Sequence, residues 1–453
     1  MDTRDKVEKI IMDIAASMHA VDMYGREHKM VIEAINGLYD ALSEVLKEVK
    51  SVTIGVIGDE LAYEKHPFYD TSKKVKGLVT RLKKQEIEKF TFLSSVSKDD
   101  ISLFVDLIAR HSNAEDVKKF SNSAVLKNIR VGKIGMPEGE GEDTSFDDPD
   151  IESVMNKTYE NGTEFLERTS EDVKNNRQID ADSARQIVGG IVNSLLKNRD
   201  LLRVLTSTKS HDESTFIHEV NVAIFTMMQA EALGMEEKGL NEIGVAALLH
   251  DAGKLAVTGD IIRKAEKLSE TDIASLGEHP INGAKILLET PGVGVLAAVA
   301  AFEHHMQYDM SGYPKKKYGK AINLVTMMIT IADFYDALRS ERSYHEGASP
   351  EEVHRKMMEF SGKLFHSGLL ENFFRTIGIY PPGSLVELDT GEIGIVVKEN
   401  RLDKERPKVE ILYGVSGEKL KDPYAADLSK KTDDGKYIKS ILRSVAPSDK
   451  YES

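Results

Sequence analysis

From Ile151 to about Gly378, apolar residues recur at helical spacing with almost no interruption. Such a stretch can hide its apolar faces only helix on helix, so it predicts a helical bundle. The flanks read differently. Over residues 1–132, Val7–Met18 and Met30–Val49 have helical spacing. Val52–Ile57, Leu61–Tyr63 and Phe90–Leu93 read as strands, the first two joined by a Gly58-Asp59 turn. Ser97 with Asp100 predicts a helix start before Ile101–Ala109. Beyond Pro381-Pro382-Gly383, the runs Ser384–Leu388, Glu392–Lys398 and Lys408–Leu412 are β-rich, with a hairpin turn at Asp389-Thr390-Gly391. The predicted fold is therefore mainly α, with an N-terminal small α/β domain over 1–132 and a C-terminal small β-rich appendage over 379–453. Glu138–Asp150 holds seven acidic residues and no basic one, which predicts a solvated linker within 133–152 and leaves the bundle 153–378.

Several functions are closed to this chain. Its 453 residues contain no cysteine, which excludes disulfide scaffolds, Fe–S clusters, zinc fingers and thiol catalysis. Any metal must be held by His, Asp and Glu. With 75 Asp+Glu against 60 Lys+Arg the net charge is −15, which argues against binding extended nucleic acid. No signal-peptide pattern opens the chain, and the most apolar stretches, such as Val293–Phe302, are too short to span a bilayer. A cytoplasmic protein without membrane insertion is expected. The N-terminal unit shows no catalytic constellation and no receiver pattern. It is read as a regulatory, sensory or dimerisation module, with a homodimer or a signalling-protein partner as its consequence. His19 and His28 share no metal spacing and read as surface or packing residues.

The bundle is where chemistry collects. His218, His250, His279, His304 and His305 fall within it, and most sit at the ends of apolar runs. His250-Asp251 closes Ile243–Leu249, His279 precedes Pro280 at a helix start, and His304-His305 closes Val293–Phe302. Asp333 lies in the apolar helix Leu324–Leu338, where a carboxylate without a partner is costly to bury. Each has an ordinary explanation: a histidine can complement a helix dipole, and Asp333 can pair with Arg339 or Arg342. Together they point to a bundle that directs imidazoles and carboxylates inward to hold metal. Sulfur-free ligands of this kind suit Fe, Mn, Zn or Co without choosing among them.

Residues 218–345 resemble the HD-GYP family of metal-dependent phosphohydrolases. HDAGK at 250–254 is similar to the family's HDxGK, EHHMQYDMSGYP at 303–314 to its HHxxxDGxGYP, and IADFYDALRSERSY at 331–344 to the helix bearing its last aspartate. The spacing agrees: 32 residues from His218 to His250, 29 on to His279, 25 on to His304, and 28 from His305 to Asp333. The resemblance covers roughly 183–378, and YPPGSLVELDTGEIGIVV is similar to the β segment that follows many such domains. It implies metal ligands at His218, His250, Asp251, His279, His304, His305 and Asp333, with Asp251 bridging two ions. It implies that Lys254 stands near the scissile phosphate, that Arg342 binds phosphate and that Tyr313 borders the substrate pocket. Asp251 and Lys254 become the candidate catalytic pair. The activity implied is hydrolysis of cyclic di-GMP to linear pGpG or GMP by a metal-bridged hydroxide, with two divalent ions, Fe or Mn.

That chemistry suits the residues. Two ions lower the pKa of a shared water and clamp a phosphate. Neutral imidazoles preserve the positive charge that draws an anion to an acidic protein. Lys254 adds a point charge and Arg342 a forked donor. The chain also departs from the family pattern. Some members hold a third ion with a Glu four residues before the first histidine. That position is Ser214 here, and Glu213 falls about 140° around a helix from His218. Two ions are therefore expected. Met306, Gln307 and Met310 replace commoner loop residues, Met310 standing where a glycine is usual, and His345 stands where Lys or Arg is common. These changes bear on substrate selectivity. They leave open a phosphohydrolase for another nucleotide or cyclic dinucleotide, or a catalytically weak metal- and nucleotide-binding signalling module.

Overall fold

A computed structural model describes residues 2–110, 128–134, 149–197, 215–256, 276–316, 321–339, 348 and 350–445, apart from single positions at 176, 381, 399, 401, 402, 404 and 433. Most of the acidic stretch 133–152 lies outside the described residues, as do Glu213, Ser214, Arg342 and His345. Two compact units result: residues 1–143 with 230–239, and residues 144–229 with 240–453.

In the first unit, helices α1 (Thr3–Tyr24) and α2 (Lys29–Val45) pack together. They meet through Val7, Ile10, Ile11 and Ile14 on one side and Val31, Ile35, Leu38 and Leu42 on the other. The three- and four-residue steps between these side chains put them on one stripe of each helix. His28 caps α2, its Nδ1 accepting from Met30 N at 3.3 Å, and it stacks on Tyr24. An antiparallel sheet runs β3-β2-β1-β4-β5, with β1 Ser51–Ile57, β2 Glu60–Tyr63, β3 His66–Pro67, β4 Lys89–Leu93 and β5 Ile129–Gly132. The predicted Gly58-Asp59 hairpin joins Ile57 opposite Glu60, and Gly58 takes the left-handed φ of +63° that the turn needs. Short helices α3 (Tyr69–Lys74) and α4 (Lys76–Lys84) follow, then α5 (Lys98–Ala109). The Ser97–Asp100 capping box opens α5 as its sequence predicts. Phe90, Phe92 and Phe104 form the aromatic centre of this unit.

The second unit is helical as far as Ile377. It comprises α6 (Pro149–Lys174), α7 (Ala181–Lys197), α8 (Thr215–Ala232) as far as Gln229, α9 (Glu237–Leu248) from Leu240, a 3-10 turn (Ala252–Ala256), α10 (His279–Leu288), α11 (Val295–Glu303), α12 (Leu324–Arg339), α13 (Pro350–Glu359) and α14 (Ser367–Ile377). Helix α6 begins at Pro149, inside the stretch expected to be linker. Proline at a first helical position lacks only an N–H that would have no helical partner. Helix α12 is buried on nearly every side, and its Tyr335 packs edge-on against Phe225 and Phe373.

The β-rich tail is an antiparallel sheet in the order β10-β6-β7-β8-β9. Its strands are β6 Leu385–Leu388, β7 Ile393–Lys398, β8 Lys408–Tyr413, β9 Lys419–Asp427 and β10 Ile441–Ser444. The first three match the predicted runs. Strand β9 is exposed along most of its length and is held by pairing with β8 at the sheet edge, so it has no apolar alternation to read. Among the described residues no helix is long and apolar enough to cross a membrane.

Candidate metal centre

Five short pieces of chain converge in the helical unit. Helix α9 is apolar and buried from Ile243 to Leu248, and the turn after it delivers His250 and Asp251 together, 0% and 4% exposed. Gly253, two residues on, explains how that turn reaches its neighbour. A Cβ there would fall 1.9 Å from the His279 carbonyl oxygen and 2.6 Å from Gly283 N. The HDAGK turn thus lies backbone to backbone on the first turn of α10, and this brings Asp251 to His279. His304 and His305 leave the last turn of α11, which is tied to α12 where Thr330 Oγ1 donates to His304 O at 2.9 Å. His218 and Asp333 come from the facing helices α8 and α12, and His218 Nε2 lies 3.1 Å from Asp333 Oδ1. His218 is thus a partner of Asp333 among the described residues, which do not include Arg342.

Proton placement defines what this cluster can do. His250 Nδ1 lies 2.8 Å from Ala247 O, His279 Nδ1 2.5 Å from Leu276 O, and His304 Nδ1 2.8 Å from Ala301 O. A carbonyl only accepts, so each Nδ1 carries a proton, and the neutral form of each ring has its Nε2 lone pair turned inward. His279 Nε2 and His304 Nε2 then stand 3.0 Å apart, with Asp251 Oδ1 at 3.2 and 3.3 Å from them. With both rings in their neutral Nδ1–H form, three electron-pair donors face one another. Asp251 Oδ1 and His250 Nε2 are buried without a hydrogen-bond partner. Desolvated lone pairs in this arrangement are unfavourable unless a cation joins them. Adjacent ligands of an ion bound at about 2.1 Å stand about 3 Å apart, so the spacing fits. The cluster can hold divalent metal.

The donors form three overlapping sets, each with its atoms within 4.8 Å: Asp251, His279, His304 and His305; His218, His250 and Asp333; Glu219, His250 and Asp251. Asp251 and His250 each belong to two sets. All seven ligand residues expected from sequence are therefore brought together. Lys254 pairs with Asp251 Oδ2 and is partly open to solvent. Tyr313 stacks on His305 with ring centroids 5.1 Å apart and is 45% exposed.

The electrostatics are steep. Burial opposes ionisation of Asp251, but Lys254 and then His250 outweigh it and hold the carboxyl well below its usual range. Burial, then the charge of Asp251, pushes Glu219 up to about 8. Burial, then His304, pushes His305 down to about 3, which keeps it a neutral donor.

The loop carrying Tyr313 shows why its sequence pattern exists. Gly312 N donates to Met306 O at 2.9 Å, and Tyr313 N to His305 O at 3.0 Å. A Cβ on Gly312 would lie 2.0 Å from His305 O, so only glycine lets the loop fold back onto the histidines. Met310 stands at φ +64°. The loop thus keeps the left-handed conformation that glycine favours, and the methionine bears the strain. Glu303, buried at the end of α11, takes Lys316 on one oxygen and Asn323 N at 2.8 Å on the other, closing the loop's far side.

Sequence reasoning missed two residues. Asp336, 0% exposed, accepts from His218 Nδ1 at 2.7 Å. Its signal was the one used for Asp333, a carboxylate on an apolar helix, repeated three residues later on the same face. Glu219 follows His218 directly in a helix that is apolar all round, where a buried charge needs a reason.

Comparison with known proteins bears on the same residues. Residues 202–366 match the HD domain family, and residues 385–442 match the KOW domain associated with HD domain. A cyclic di-GMP phosphodiesterase of Pseudomonas aeruginosa is 33% identical over 242 residues, which is 53% of this chain and 58% of that protein. A 3'3'-cGAMP-specific phosphodiesterase of Vibrio cholerae is 37% identical over 127 residues, 28% of this chain and 27% of its own. A solved HDG"Y"P protein from Bdellovibrio bacteriovorus is similar over 72% of this chain and 93% of its own, at 15% identity and a TM-score of 0.41. The matched part of the chain spans little over half of the Pseudomonas protein and about a quarter of the Vibrio one.

Proposed function

We propose that this chain, whose residues 202–366 match the HD domain family, belongs to the HD-GYP branch of that family and is a metal-dependent phosphodiesterase that hydrolyses cyclic di-GMP to pGpG or GMP. The observation that carries this reading is the convergence of the Nε2 atoms of His279 and His304 on Asp251 Oδ1, each imidazole proton held outward by a carbonyl. His218, His250, Asp251, His279, His304, His305 and Asp333 would hold two divalent ions, Fe or Mn, with Asp251 and His250 shared between the donor sets. Bound ions supply an activated water and hold charge on the phosphate oxygens.

The other steps belong to the side chains. Lys254 is kept protonated by Asp251 against the opposing effect of burial, so it presents a fixed positive charge to a phosphate oxygen. Tyr313 offers its free face to a flat base, and its other face keeps the His305 ring in place. Arg342, beyond the described residues, is read as a second phosphate contact. Residues 1–132 serve as a regulatory or dimerisation module, 133–152 as a linker, 153–378 as the catalytic domain and 379–453 as a β-rich appendage, in a cytoplasmic second-messenger enzyme.

The test is anaerobic purification with elemental analysis, then a cyclic di-GMP turnover assay on wild type, His250→Ala and Asp251→Ala. Metal-dependent turnover lost in both variants supports the reading. Stoichiometric metal with no turnover of any cyclic dinucleotide sinks it and favours a binding module. A content near three ions per chain overturns the two-ion count. The resemblance to the Vibrio enzyme makes 3'3'-cGAMP the second substrate to assay, and a higher kcat/KM on it would reassign the substrate within the same chemistry.

A further inference from the structure

Behind His218 lies a buried chain of polar groups that the proposed reaction does not use. Asp336 Oδ2 accepts from His218 Nδ1 at 2.7 Å, and Asp336 Oδ1 accepts from Asn221 Nδ2 at 2.9 Å. Asn221 Oδ1 in turn accepts from Tyr159 Oη at 2.7 Å. Tyr159, Asn221 and Asp336 are at most 2% exposed. The polarity runs one way. A carboxylate only accepts, so it fixes the amide of Asn221 with its NH2 toward Asp336 and its oxygen toward Tyr159. The same carboxylate fixes the proton of His218 on Nδ1 and frees Nε2 for the ion.

Three helices contribute: Tyr159 from α6, His218 and Asn221 from α8, and Asp336 from α12. Helix α6 lies unusually close to α8 at this point. A Cβ on Gly162, one turn after Tyr159, would fall 2.8 Å from Val220 Cγ2, beside Asn221. Helix α6 also packs against the 3-10 turn that carries Lys254.

We propose that Tyr159, Asn221 and Asp336 are positioning residues that join helix α6 to His218, so that the seating of α6 sets how tightly the His218, His250 and Asp333 donors hold metal. This inference rests on the metal-centre reading above. It makes α6, the helix by which the chain enters the catalytic unit, the element whose displacement reaches the ligand set. A shift of α6 breaks the Tyr159 contact, releases the Asn221 amide, and leaves His218 with one restraint fewer.

The experiment is calorimetric titration of the metal-stripped full chain with Mn2+ alone, so no substrate is involved. Loss of an outer partner of a metal-bound histidine typically weakens binding about 10- to 100-fold, and Asp336→Asn should do so because its NH2 group must face another donor. Tyr159→Phe removes one hydroxyl from a fully packed ring and should weaken Mn2+ several-fold, with an unchanged circular dichroism spectrum. Gly162→Ala, which touches none of the polar groups, should weaken it in the same sense. In a His218→Ala background, Tyr159→Phe should have no further effect. Equal losses from Tyr159→Phe with and without His218 would show a merely structural role and overturn the proposal. So would Asp336→Asn and Tyr159→Phe chains that bind Mn2+ like wild type. A wild-type chain that takes up no Mn2+ at all would overturn the metal-centre reading and this inference together. Wild-type binding with unaffected variants would overturn only the latter.

Discussion

The centre of the N-terminal unit and the centre of the helical unit are both buried, yet they treat polar groups in opposite ways. Around Phe90, Phe92 and Phe104 the interior is apolar, and a buried hydroxyl such as Ser72 serves the chain itself. It donates to Phe68 O at 2.7 Å and accepts from Leu61 N at 2.8 Å. Around Asp251 the local carbonyls take the imidazole protons, and the remaining lone pairs are left facing one another. The first core gains stability from folding alone. The second holds buried donors that a cation between them would satisfy, an arrangement that costs stability when it is empty.

Four substitutions test that contrast. The largest effect is expected from Asp251→Ala. Turnover should fall by at least about a thousandfold, since the shared carboxylate goes. Wild type should gain about 2.7 kcal/mol of stability at Mn2+ a hundredfold above its dissociation constant, and the variant should gain nothing. Calorimetric melts with and without Mn2+ check this, and an equal gain in both proteins would refute it. Next comes Phe104→Ala, which should cost about 3–5 kcal/mol through the cavity it opens. Denaturant melts measure the loss, while Mn2+ affinity of the folded fraction should stay at the wild-type value. A matching loss of metal affinity would mean that the two interiors are not independent.

A smaller effect should come from Met310→Gly. Relief of the left-handed φ should stabilise by about 0.5–1 kcal/mol, less what the freer unfolded chain takes back. A lower melting temperature would show that the methionine side chain contributes packing that exceeds its strain. The smallest concerns His354, half-buried and edge-on to Phe374, where burial holds its pKa below the usual value. Its neutral form is favoured in the fold. Its contribution to stability is therefore complete above about pH 6.5 and is lost as pH falls below that toward the folded pKa. His354→Gln should flatten the stability profile between pH 7 and 5 relative to wild type. An unchanged slope would place the pH sensitivity elsewhere.

Much of the site was legible because its chemistry leaves local marks. A histidine pair after an apolar helix, an HD dipeptide closing another and a glycine two residues later are visible without any neighbour in view. The helix starts at Ser97 and the hairpin at Gly58 were legible for the same reason, since caps and tight turns depend on adjacent residues. Strand β9 was not, because its pairing with β8 uses backbone groups and its side chains face water on both sides. Asp336 and Glu219 were missed because a carboxylate within a helix looks the same whether it meets solvent, an arginine or an imidazole.

Composition limits which residue types can take part: without cysteine, any metal centre must be built from imidazoles and carboxylates, on or at the ends of helices that the apolar spacing defines. Tertiary structure alone decided how they are used. Which carbonyl holds each imidazole proton, which oxygen of Asp251 meets which ring, and which helix stands behind His218 all depend on distances between segments far apart in the chain. Spacing along a sequence lists donors. Only packing sets the direction of their lone pairs, and that direction determines whether they bind a cation or one another.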